Sequence, residues 1–166
     1  MSVDVTQVLL GALSRVRRAA TRKQVALALE SPVDLPHTTG KAPQLARVLH
    51  TLLSHAIQVS SMGGVVRVIT GVTSRPADSL GDSVAIVVTD SGAAMRREGF
   101  DRLLSAFRPS QILQMQGRHG GRTLSLTCRL GGLAGGRVWV KSRAGHGSIF
   151  AAVLPVSRRG QRRAAE

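Results

Sequence analysis

A chain of 166 residues and 17.5 kDa has the size of one domain with one substantial core, and 43% hydrophobic against 19% charged residues exclude a disordered chain. Aromatics make up only 2%, with no Tyr, which argues against stacking platforms for single-stranded nucleic acid and leaves the core to Leu, Val, Ile and Ala. Twenty Arg and three Lys against nine acids give a formal net charge of +14, which attracts polyanions without choosing among nucleic acid, acidic protein, anionic lipid and nucleotide phosphates.

The single cysteine, Cys128, admits no internal disulfide or thiolate cluster and suits a reducing compartment. No run reaches the roughly 18 apolar residues of a bilayer span, and the first residues lack the layout of a secretory signal. A cytoplasmic location is expected.

Along the chain, Val5, Leu9, Ala12, Leu13, Val16 and Ala20 recur at helical spacing behind Asp4, which predicts a capped helix over 4–20. Its C-terminal end carries Arg15, Arg17, Arg18, Arg22 and Lys23, where positive charge interacts favourably with the helix dipole. Val25, Leu27 and Leu29 predict a strand near 24–30, and the Pro- and Gly-containing stretch 31–41 reads as a loop. Leu45, Val48, Leu49, Leu52, Leu53, Ala56 and Ile57 then form one wide apolar face, a helix over 42–59.

Gly63 and Gly64 end that pattern before a strand at 65–72, and a polar segment leads to a strand at 83–89, so the two read as a hairpin with a long loop. Segment 91–123, rich in Gly, Ser, Arg and Gln, reads as a mobile lid-like loop with a short helical candidate at 99–107. A helix candidate at 124–133 and strands at 136–142 and 147–154 follow, and the basic tail 157–166 is expected to be disordered. This order predicts an α+β fold, with a mixed, mostly antiparallel sheet covered by helices on one face.

Candidate chemistry sits in an ordered series. Thr51, Leu52, Leu53, Ser54, His55, Ala56 and Ile57 lie on the long helix. Val88-Thr89-Asp90-Ser91-Gly92 ends an apolar strand, and Gly135-Gly136-Arg137-Val138-Trp139 precedes Gly145-His146-Gly147-Ser148-Ile149-Phe150. In this order and spacing the series resembles the catalytic ATP-binding domain of sensor histidine kinases, a branch of the GHKL ATPase superfamily, over about residues 3–155. The resemblance implies a two-layer α/β sandwich with the Bergerat ATP-binding fold. It implies a domain over 1–156, with residues 1–22 as the helix leading into it and 93–121 as the ATP lid.

Taken alone, Asp90 before Ser91-Gly92 reads as a turn former. The resemblance gives it another role, accepting a hydrogen bond from the adenine amino group, with Gly92 letting the base approach and Ala94 standing where the family has a further glycine. Thr51 and His55, four apart on one helix face, occupy the family's N-box positions, where the second is usually an Asn whose oxygen binds Mg²⁺. A histidine at this metal position is a poor magnesium ligand, because magnesium favours oxygen donors and imidazole suits zinc, nickel or copper. The bland alternative makes Thr51 and His55 ordinary polar residues at a helix margin.

The family's phosphate-cradling glycine turn corresponds to His119-Gly120-Gly121-Arg122-Thr123, in which Gly121 matches and His119 and Thr123 replace glycines. Read without the family, Gly120-Gly121 with Arg122 is a flexible loop. ATP or ADP is therefore the implied ligand, with Mg²⁺ doubtful and no catalytic residue assigned.

The implied function is a histidine kinase-like ATP-binding domain of two-component signalling, without the phosphoacceptor hairpin and weak in Mg-ATP chemistry. Its implied partners are a response regulator, a kinase or another signalling protein. Two alternatives stay open, a pseudokinase adaptor that binds no nucleotide and a basic polyanion-associated or DNA-associated protein. The five histidines, His37, His50, His55, His119 and His146, form no arrangement with carboxylates that suggests a nucleophilic triad or a metal site.

Overall fold

The computed structural model of the chain describes residues 2–32, 34–74, 82–90, 137–143 and 147–157. Strand β1 (Ser2–Val3) leads to helix α1 (Val5–Lys23), and Asp4 between them acts as the predicted cap, its carboxylate accepting from the Gln7 amide at 3.2 Å. The helix buries Val5, Leu9, Ala12, Val16 and Ala20 and runs one turn beyond the predicted end. It stops where Gln24 takes a left-handed conformation, φ 57°, and its amide turns back to the carbonyls of Ala20 and Thr21.

Strand β2 (Ala26–Glu30) follows, and the stretch read as a loop contains strand β3 (Thr38–Thr39). Thr38 and Thr39 pair antiparallel with Val3 and Ser2, and the neighbouring His37 carbonyl accepts from the Ser157 amide at 2.8 Å. This small ribbon ties the start of the described chain to its end, through pairing that two threonines cannot announce.

Helix α2 (Ala42–Val59) has the predicted bounds. Pro43 starts it without needing a donated amide, and its stripe from Leu45 to Ile57 is buried. At its far end the Ser60 hydroxyl donates to the Ala56 carbonyl at 2.7 Å. The Lys23 ammonium, reaching across from α1, donates to the carbonyls of Ile57 (3.0 Å) and Gln58, which places a cation on the negative end of the α2 dipole.

Strands β4 (Val65–Ser74), β5 (Asp82–Thr89), β6 (Arg137–Arg143) and β7 (Gly147–Pro155) complete a five-stranded sheet of order β2-β4-β5-β7-β6. Only β2–β4 is parallel; β4–β5, the predicted hairpin, and the remaining pairs are antiparallel. Cross-strand rows Val68-Val88-Phe150, Thr70-Ile86-Ala152 and Val72-Val84-Leu154 define one face. Val68, Val84, Ile86, Val88, Phe150, Ala152 and Leu154 on it join the buried residues of α1 and α2 in a single core, so both described helices cover the same face as expected.

The opposite rows, Ile69-Val87-Ala151 and Gly71-Ala85-Val153, carry five apolar side chains that are also closed to solvent. Burial on both faces explains why Val84 to Val88 reads as an unbroken apolar run. The predicted helices at 99–107 and 124–133, the lid at 93–121 and nearly all of the tail after Ser157 lie outside the described residues.

Candidate functional site

The residue just past the central strand β5 is a buried carboxylate, Asp90. In β5 the residues Val84, Ile86 and Val88 face the helices, and the same alternation carried one step past the strand puts Asp90 on that side. Asp90 is only 4% exposed, and it has polar or electrostatic company there. A carboxylate is rarely buried to this degree, since losing water costs it far more than it costs an apolar group. Among the described residues no other acidic side chain is buried.

Helix α2 supplies the other side. Thr51 and His55 are both partly buried beside the fully buried Leu52, Leu53 and Ala56, while His50 is exposed. The His55 ring meets the Phe150 ring edge to face, with centroids 5.4 Å apart and planes at 85°. Phe150 has no exposed surface and lies directly opposite Val88, two residues before Asp90. His55, Phe150, Val88 and Asp90 therefore form a continuous path from α2 to the end of β5, and sequence reasoning had no signal for the Phe150 contact.

Of the expected site residues, the structure sets His55 on α2 against Phe150, which lies opposite Val88 on β5, and Thr51 four residues earlier on the same helix. Gly92, Ala94, Gly120, Gly121, Arg122 and Thr123 lie outside the described residues. A buried carboxylate such as that of Asp90 can accept a hydrogen bond from an N–H or O–H group. The imidazole of His55 is not the oxygen donor that Mg²⁺ prefers. No group of three or more metal-ligating side chains occurs among the described residues.

A second polar cluster joins residues that the sequence keeps apart. Ser2 Oγ lies 2.9 Å from His37 Nδ1, and His37 Nε2 lies 3.9 Å from Asp4 Oδ2. The acid–histidine separation exceeds a hydrogen bond, and both side chains are 45% exposed. The cluster fastens the β1–β3 ribbon to the start of α1 and lacks the buried, oriented acid of a nucleophilic triad.

Residues 40–158 match the family described as histidine kinase-, DNA gyrase B- and HSP90-like ATPase. The alginate biosynthesis sensor protein KinB of Pseudomonas aeruginosa is 31% identical over 157 residues, 93% of this chain and 24% of its own. The adaptive-response sensory kinase SasA of a Synechococcus strain is 31% identical over 137 residues, covering 82% of this chain and 34% of its own. The chain thus spans about a quarter to a third of these relatives' length. Among solved structures, the mycobacterial sensor histidine kinase MprB superposes with a TM-score of 0.65 at 22% identity, covering 94% of this chain and 97% of that one, a likeness of fold. No described helix is long and apolar enough to cross a membrane.

Proposed function

Because this chain belongs to the histidine kinase-, DNA gyrase B- and HSP90-like ATPase family and has the histidine kinase-type domain, we propose that it binds adenine nucleotide at the sheet end marked by Asp90 and is weak in Mg-ATP chemistry. The observation that carries the reading is the burial of Asp90 beside the helix-facing row Val88-Phe150. A carboxylate there accepts from the adenine amino group, and Gly92 and Ala94 border the base. Thr51 donates a hydroxyl towards the phosphates, and Gly120, Gly121, Arg122 and Thr123 form the phosphate turn, in which Arg122 supplies a charged donor.

Members of the family generally bind ATP or ADP with Mg²⁺. In this chain His55 replaces the oxygen ligand, so no step is assigned to the metal. Adenine recognition and charge attraction need none. In two-component signalling a domain of this kind works with a response regulator or a kinase partner. That histidine at the metal position also favours a second reading, an adaptor with the kinase fold and no nucleotide.

Titration with ATP, with and without Mg²⁺, separates the two. Measurable ATP binding that changes little with Mg²⁺ is expected. Asp90→Ala should weaken it by at least tenfold, an effect of about 1.4 kcal/mol. His55→Asn, which restores an amide oxygen at the ligand position, should make binding Mg²⁺-dependent. No binding by the unaltered chain would select the adaptor reading, and strong Mg²⁺-dependent binding that His55→Asn weakens would overturn the account of His55.

A further inference from the structure

Helix α1 turns its apolar stripe to α2 and the sheet, and what it leaves outside is unusual in composition. Gln7, Gly11, Ser14, Arg15, Arg17, Arg18, Thr21 and Arg22 are all exposed, and the helix contains no acidic residue. The described ion pairs, Arg67–Glu30 and His37–Asp4, leave the four arginines unpaired. Lys23, the remaining cation of this end, is taken up by the carbonyls of α2. Arg15, Arg18 and Arg22 follow one line along the helix at spacings of three and four residues, with Arg17 on the other flank of Arg18.

We propose that this face of α1 docks on the phosphate backbone of duplex DNA, without reading its sequence. Gln7, Ser14 and the arginines on it are all types that donate to phosphate oxygens, while the Thr21 hydroxyl already donates to the Arg17 carbonyl at 2.9 Å. The face offers no aromatic and a single exposed large apolar residue, Leu10, so it lacks the apolar core around which a stable protein interface is built. A membrane-surface helix needs an apolar face to insert, and α1 has already buried its own in the core. The chain's net charge of +14 adds long-range attraction to the same class of partner. This inference is independent of the nucleotide reading, because the face lies on the side of α1 away from α2.

The test is fluorescence anisotropy of a labelled 20-base-pair duplex titrated with the full chain between 50 and 200 mM salt. Four neutralised phosphates give a slope of about −3.6 in log K against log salt, an affinity loss of about 150-fold across that range. Replacing Arg15, Arg17, Arg18 and Arg22 by Gln should flatten the slope by about 3 to 4. Replacing Arg158, Arg159, Arg162 and Arg163 by Gln removes the same charge from the tail and should flatten it by less than 1. Charge reversal by R18E/R22E gives a second, independent loss, and far-UV circular dichroism checks that each variant keeps its helix content. Equal effects of the two quadruple variants, no duplex binding at 50 mM salt, or tighter binding to phosphatidylserine vesicles or polyglutamate than to the duplex would each overturn the proposal.

Discussion

Phe150 joins stability to the site at the scale of one residue. It has no exposed surface, fills the core between β5 and the helices, and holds the His55 ring at its edge. Truncating a buried Phe to Ala typically costs about 3 to 5 kcal/mol, through lost burial and the cavity left behind. Phe150→Ala is therefore expected to lower the urea midpoint strongly, and Phe150→Leu to restore most of it. The two variants differ at His55 as well, because leucine refills volume without offering an aromatic ring to the imidazole. If both variants unfold at the same urea concentration as the unaltered chain, the packing account of Phe150 is wrong.

The ends of the helices show what an element needs beyond its apolar stripe. Helix α1 ends on Gln24 in the left-handed region, a conformation that costs a side-chain-bearing residue about 1 to 2 kcal/mol and costs glycine little. Gln24→Gly keeps the amide that returns to Ala20 and Thr21 and removes the Cβ clash. It is expected to raise stability by about 0.5 to 1 kcal/mol, part of the gain being offset by the added freedom of the unfolded chain. A thermal melt decides the sign, and a fall in the midpoint would mean that the Gln24 side chain contributes more than its backbone costs.

Elements of this kind were legible to different degrees for physical reasons. Helix α2 was read to the residue because a wide apolar stripe and the Gly63-Gly64 break are both local signals. The β1–β3 ribbon was missed because its four residues are stabilised by partners some 35 positions away. Asp90 stood out at the end of an apolar run. Its neighbour Phe150 did not, because only the β5–β7 register brings it there.

At the scale of the whole molecule, both described helices spend their apolar faces on one sheet, and this limits what these two helices can do alone. A phosphoacceptor hairpin needs two helices that pack on each other with a histidine presented outward. Helix α1 contains no histidine, and α2 is committed to the core along seven buried residues. Its exposed His50 is one turn from His55, on an element that the fold holds rigidly against β4, β5 and β7. Phosphoryl transfer also requires the γ-phosphate, the attacking nitrogen and a metal to be aligned, and in the proposed site the metal position falls to His55, a poor magnesium ligand. The chain incubated alone with γ-labelled ATP and Mg²⁺ is therefore expected to acquire no acid-labile phosphate. His55→Asn, even where it makes nucleotide binding depend on Mg²⁺, is not expected to change that result, because better binding creates no acceptor. An acid-labile label on the unaltered chain that is lost in His50→Gln would show that α2 itself presents an acceptor, and would overturn the argument from the commitment of both helices to the core.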